Sequence, residues 1–169
     1  MKTKIHSYNV YLDGTKLLGI SEEVTLPDFD ALTETVSGAG VLGEIDEPVL
    51  GRFGAAEIEI PFRTLSEQMW KLADMQKSIN VTLRASTQAI TETDMTTDFV
   101  PSRIVIKGKN KGFTNGKMKA GEGTAPTMKL EIVYILIEEN QKPRFELDKL
   151  NFVYAVNGKD LLAKVKSQI

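Results

Sequence analysis

Apolar and polar residues alternate with a period of two along most of this chain, and that alternation predicts strands. The cleanest run is residues 55–63, where Ala56, Ile58, Ile60 and Phe62 fall on one face and Glu57 and Glu59 on the other. Ile79, Val81, Leu83 and Ala85 alternate in the same way with Asn80, Thr82, Arg84 and Ser86, as a half-buried strand does. Residues 5–12, 16–26, 31–37, 99–107, 128–137 and 145–156 read as further extended segments. Asp13-Gly14 and Asn115-Gly116 are turn signals between them. Pro27 removes a ladder donor and ends the pairing of its segment. Residues 86–98 are polar and threonine-rich, an expected strand end and exposed loop.

The period changes at two places. Over residues 64–76 Leu65, Met69, Leu72 and Ala73 share one helical face with Trp70 beside them. Thr64 and Glu67 have the spacing of a capping box, so a helix over 64–76 is expected to cover a sheet. Asn157-Gly158 introduces a terminal helix over 158–169, with Leu161, Val165 and Ile169 at four-residue spacing and Leu162 alongside. Between Gly38 and Gly54 five glycines and Pro48 predict a long loop without regular structure. No internal repeat or boundary divides the chain. The expectation is one mainly-β domain over 1–169, a β-barrel or sandwich with one flanking α-helix and a C-terminal helix.

Composition narrows the chemistry. There is no cysteine, which excludes disulfides, thiolate metal sites and cysteine nucleophiles. The net charge of −2 gives no general attraction to nucleic acid or anionic lipid. No run approaches the ~18 apolar residues of a membrane helix, and no apolar segment follows the basic start as in a signal peptide.

Each candidate site meets a chemical objection. Gly38-x-Gly40-x-x-Gly43 spells a dinucleotide fingerprint, but Pro48, Gly51 and Gly54 deny it the helix that would meet a pyrophosphate. The five lysines from Lys107 to Lys119 lack a P-loop arrangement and interleaved aromatics; they suit a solvated face or pairing with an acidic patch of another subunit. Glu57 and Glu59 share a strand face, as an acid/base pair could, with no further catalytic group beside them. His6 is the single histidine and has no ligand set near it. Asn80-Val81-Thr82 spells a glycosylation acceptor with no secretory signal to make it meaningful. No catalytic, cofactor-binding or metal-binding residue is assigned, and an enzyme is not expected.

The order of landmarks resembles the major tail tube protein family of contractile-tailed bacteriophages and R-type bacteriocins. The resemblance rests on Tyr8-Asn9-Val10-Tyr11-Leu12-Asp13-Gly14, on residues 19–27, and on the glycine cluster 38–43. It continues through Lys107-Gly108-Lys109, Gly121-Glu122, Tyr134, Leu147-Asp148-Lys149-Leu150-Asn151, and Val156-Asn157-Gly158-Lys159-Asp160-Leu161-Leu162. Residues 86–98 have no counterpart in the pattern.

The resemblance implies a subunit that forms homo-hexameric rings, with strands of every subunit joined around a lumen and rings stacked head to tail. That would be the inner tube of a contractile phage tail or tail-like bacteriocin, driven through an envelope by sheath contraction. A sheath protein, a baseplate or tube initiator and a tape measure protein are the implied partners, and DNA passes only in a phage. The particle would assemble in the bacterial host cytoplasm.

On the same basis residues 38–54 are expected to reach the adjacent ring, through Gly38, Gly40, Val41, Leu42, Gly43, Ile45, Val49 and Leu50. Glu57, Glu59, Asn80, Thr82 and Arg84 are the candidates for facing the lumen, where an acidic lining would shed DNA. A contractile secretion tube is the nearest functional relative. The alternative is a monomeric β-barrel that binds a small ligand, which leaves the aliphatic residues of 38–54 unexplained.

Overall fold

Among the described residues, 1–21 and 23–169 of a computed structural model, eleven strands and two short helices follow one another. They are β1 (Lys2–Leu12), β2 (Thr15–Lys16), β3 (Ala31–Ser37), β4 (Glu44–Phe53), β5 (Glu57–Pro61), α1 (Glu67–Lys71), β6 (Ile79–Ile90), β7 (Thr97–Thr114), β8 (Thr127–Glu139), β9 (Lys142–Asp148), β10 (Val153–Val156), β11 (Lys159–Asp160) and α2 (Ala163–Lys166). The chain is mainly β, as its alternation requires. Nine strands form one antiparallel sheet in the order β11-β10-β9-β8-β7-β6-β1-β2, with β5 paired to β8; β3 and β4 pair only with each other.

The first turn has the chemistry expected of it. Asp13 (φ 47°) and Gly14 (φ 83°) are both left-handed, the requirement of a two-residue hairpin that keeps the strand twist. Tyr11 then opposes Lys16 and Leu12 opposes Thr15.

One face of the sheet builds the core. Ile58, Ile60, Val81, Ile106, Met128, Leu130, Ile132 and Ile135 are fully buried, with Phe62, Met69, Leu72 and Leu147 packed among them. Strand β8 reverses its parity on the way: Met128, Leu130 and Ile132 point inward, and then Ile135 does. The register shift opposite Lys107/Gly108 supplies the extra residue, a bulge that keeps both halves of the strand buried on the same side. Gly108 makes it possible, since a Cβ there would lie 2.0 Å from the Glu131 carbonyl oxygen.

Among the described residues no ladder closes the sheet into a barrel. β2 is two residues long, and Gly19 (φ 76°) breaks the extended run that the sequence predicts over 16–26. Residues 17–21 are tied to β1 and β5 by scattered bonds: Leu17 N–H to Val10 (2.8 Å), Ser21 N–H to Pro61 (2.9 Å) and Arg63 N–H to Gly19 (2.9 Å). Among the described residues, two isolated bridges, Ile20 with Phe62 and Thr25 with Glu59, accompany them. The expected mainly-β class, a barrel or sandwich with short flanking helices, is present as an antiparallel sheet, with no closing barrel ladder among the described residues.

Both helices are shorter than the sequence predicts. Instead of 64–76, α1 covers Glu67–Lys71, because Ser66 and not Thr64 is its cap; the Ser66 hydroxyl accepts from Met69 N–H (3.3 Å). An Asp74 carboxylate that accepts from Gln76 N–H (2.9 Å) turns the chain away at the other end. The expected inward face is correct, with Met69 and Leu72 buried and Leu65 and Ala73 half-buried against the core. Instead of 158–169, α2 covers Ala163–Lys166, since Lys159 and Asp160 pair with β10. Leu162 is the buried residue there, while Val165 and Ile169 are exposed.

Candidate assembly surfaces

The segment read as an irregular loop is a β-hairpin. Residues 44–53 pair with β3 along Thr33↔Pro48, Glu34↔Glu47, Thr35↔Asp46, Val36↔Ile45 and Ser37↔Glu44. The glycines do not prevent this, because of where they fall. Gly38, Gly40 and Gly43 sit in the turn with positive φ, and Gly51 occupies an irregular stretch near the base. Pro48 is tolerated because each strand of a two-stranded ladder has one free edge.

The eight residues expected at a ring contact divide along this hairpin. Gly38, Gly40, Val41, Leu42 and Gly43 form the tip, where Val41 N–H donates to Gly38 (3.1 Å) and Leu42 is wholly exposed. Ile45 lies on the stem, and Val49 and Leu50 lie at the base. At the base, Leu32, Val49 and Leu50 face Phe152, Leu162 and Val165 across an open cleft of about 580 Å³. The signal for the anchor was missed in the sequence: Phe29, Phe53, Phe145 and Tyr154 stack with centroids 5.1–6.0 Å apart and tie the hairpin to β9 and β10. Four aromatics scattered from 29 to 154 share no periodicity that would reveal the cluster.

The five residues proposed for a lumen come from β5 and β6 and project from one face of the nine-stranded sheet. That follows from the buried neighbours, Ile58 and Ile60 beside the glutamates and Val81 and Leu83 beside Asn80, Thr82 and Arg84. The ladders β5–β8, β8–β7 and β7–β6 connect them.

This face is not simply acidic. Glu57 opposes Glu131 across the ladder, and Lys111 bridges them at 3.0 and 3.4 Å. Lys129 binds Glu59 at 2.7 Å and Glu57 at 3.7 Å, and Lys149 reaches Glu131 at 3.6 Å. The Lys111 ammonium, by hydrogen bond and charge, holds the Glu57 carboxyl below the usual range; burial opposes this and Lys129 adds to it. Lys111 and Lys129 are held above their usual range, chiefly by Glu57 and Glu59 respectively. Both carboxylates are thus engaged in salt bridges with lysines of β7 and β8.

Farther along the same face Arg103 pairs with Glu138, and Arg84 lies 5.4 Å from the Tyr11 ring centre. Lys107 lies 5.2 Å from the ring centre of Tyr134, whose hydroxyl donates to Glu146 (3.1 Å). Burial first, then that bond to Glu146, pushes the Tyr134 hydroxyl up to about 12.

The remaining candidates take their places in the fold. The lysine stretch is mostly strand: Lys107, Lys109 and Lys111 alternate along β7 with buried Ile106, Gly108 and Asn110. Lys119 pairs with Glu122. Gly38-x-Gly40-x-x-Gly43 joins antiparallel strands, so neither the parallel strand nor the helix of a nucleotide site is there. His6 packs edge-on against Phe99, 5.5 Å between centres. Residues 86–98 extend β6 and β7 as a long hairpin whose turn is held by Thr91, Asp94 and Thr96. Ile58, Ile60, Val81, Leu130 and Ile135 pack together on the inward face of the sheet.

These features define a mainly-β protein with an arm that carries exposed aliphatic residues, Val36, Leu42, Ile45 and Leu50 among them. The chain belongs to the phage tail tube protein FII family, whose model matches residues 2–169. It is 28% identical to the tail tube protein of Escherichia phage P2, over 100% of this chain and 98% of that one. It is 24% identical to the major tail tube protein of Serratia phage KSP20, over 94% of this chain and 90% of that one. A sheath/tube terminator of the extracellular contractile injection system PVC shares the fold, with a TM-score of 0.53 at 12% identity, covering 79% of this chain and 94% of that chain. The protein is a structural component of the tail tube class, not an enzyme.

Proposed function

We propose that this chain assembles into hexameric rings that stack into the inner tube of a contractile tail or a phage-tail-like bacteriocin. Family membership supplies the tube. The observation that carries the stacking is the β3–β4 hairpin: paired with no other strand, it exposes Val36, Leu42 and Ile45 to solvent. A monomer gains nothing by exposing aliphatic residues on an arm, whereas a neighbour that covers them gains their burial. The tip, stem and base of the hairpin would then engage the adjacent ring, a heterologous contact that propagates as a filament. The polar sheet face that bears Glu57, Glu59, Asn80, Thr82 and Arg84 would line the lumen, with neutralised rather than bare acidic charge.

Sheath, baseplate initiator and tape measure proteins are the partners this assembly calls for, gathered in the host cytoplasm into the particle. Electron microscopy of the concentrated protein, with and without a baseplate, tests the reading. Hollow tubes with six subunits per turn of the ring support it. Particles no larger than a monomer, even with the baseplate present, overturn it.

A further inference from the structure

The β3–β4 hairpin is two-faced. Opposed residues in an antiparallel ladder project to the same side, so Thr33/Pro48, Thr35/Asp46 and Ser37/Glu44 form one face. That face is polar, and its Thr35 hydroxyl donates to Asp46 (2.8 Å). Glu34/Glu47 and Val36/Ile45 form the other, which Leu32 continues by alternation toward the cleft at the base.

On this second face two glutamates stand directly opposite one another, an arrangement that repels. Among the described residues neither has an ion-pair or hydrogen-bond partner, unlike the opposed Glu57 and Glu131, which Lys111 bridges. The arm, residues 31–53, carries four carboxylates against one cation, Arg52 near its base, and hence −3. Since the whole chain is −2, its remaining residues carry +1. The arm and the body of one molecule are therefore opposite in sign.

We propose that the Glu34/Val36/Ile45/Glu47 face of the hairpin docks on a second copy of this chain, on a surface of its positively charged body. This rests on the tube reading and specifies which face of the arm makes the contact and what chemistry receives it. The aliphatic pair supplies area, and the glutamates supply orientation, because two opposed anions reject every acceptor that lacks cations.

The chain has no cysteine, so one introduced residue carries a photo-crosslinker to a single site. Val36→Cys and Thr35→Cys place it on the two faces, one residue apart, in the full chain under tube-forming conditions. Cross-links to a second copy are expected from position 36 and not from position 35. The Glu34→Gln/Glu47→Gln pair is expected to raise the concentration needed for assembly roughly tenfold at low salt and to converge with wild type at high salt.

Tubes that form with equal labelling from both positions overturn this inference and leave the tube reading intact. So does easier or promiscuous association of the glutamine variant, which would make the glutamates guards of an exposed strand edge. A wild-type chain that stays monomeric with a baseplate overturns both.

Discussion

Gly51 and Leu162 are in contact across the base of the hairpin: a Cβ at Gly51 would lie 2.7 Å from Leu162 Cδ1. The arm is thereby set against the terminal segment of the chain, and two requirements coincide at one residue. Gly51 also has φ 73°, where a side chain is strained whatever space it finds. Gly51→Ala is expected to cost about 1–3 kcal/mol from backbone strain and displaced packing. Thermal unfolding measures that cost. Tube assembly is expected to suffer more than folding, since the arm is redirected while the distant core is untouched.

Gly108 and Gly112 lie on the same strand and make a matched pair. A Cβ at Gly108 meets the Glu131 carbonyl at 2.0 Å, whereas nothing lies within 4 Å of one at Gly112. Gly108→Ala must open the β7–β8 bulge and is expected to cost about 2–4 kcal/mol, and Gly112→Ala less than about 0.5 kcal/mol. Urea unfolding of the two variants side by side checks the difference.

Asn110 is buried, and its amide donates to the Leu72 carbonyl (2.7 Å) at the end of α1. Asn110→Ala removes that donor and strands the carbonyl, an expected loss of about 1–3 kcal/mol. Asn110→Asp is expected to be worse, because it sets a buried carboxylate against the carbonyl. Melting temperatures should rank wild type, then Ala, then Asp.

The salt-bridge face fixes the expected pH behaviour. A carboxyl whose folded value is depressed lends stability that is fully present above its ordinary pKa and is lost as pH falls through the folded value. For Glu57, ordinarily at 4.5, acid unfolding should therefore steepen below that pH, and Glu57→Gln should flatten this limb. Tyr134 acts at the other end. Raised from 10.0 to about 12, it contributes stability below pH 10 that disappears between 10 and about 12. Ultraviolet absorbance should show one tyrosine ionising late, and Tyr134→Phe should remove that step.

Strands were legible wherever one face is buried, because burial on one side forces period-two alternation: β5 and β6 lie where Ile58/Ile60 and Val81/Leu83 predict them. The α1 cap was misplaced by two residues because Thr64 and Ser66 are both good caps, and tertiary contacts choose between them. The hairpin was illegible for a different reason. Its two faces are both exposed within the protomer, so its pattern is diluted, and a count of glycines cannot tell a turn from a loop.

By itself the sequence determined the mainly-β class, the inward faces of β5, β6 and α1, the absence of cysteine chemistry, and the tail tube resemblance that the family match bears out. These depend on local alternation, composition and the order of residues along the chain. Tertiary structure alone decided that residues 44–53 pair with β3, that Glu34 meets Glu47, that Lys111 bridges Glu57 and Glu131, and that β5 pairs with β8. Each of those turns on register between segments distant in sequence, and a shift of one residue would turn every side chain to the other face.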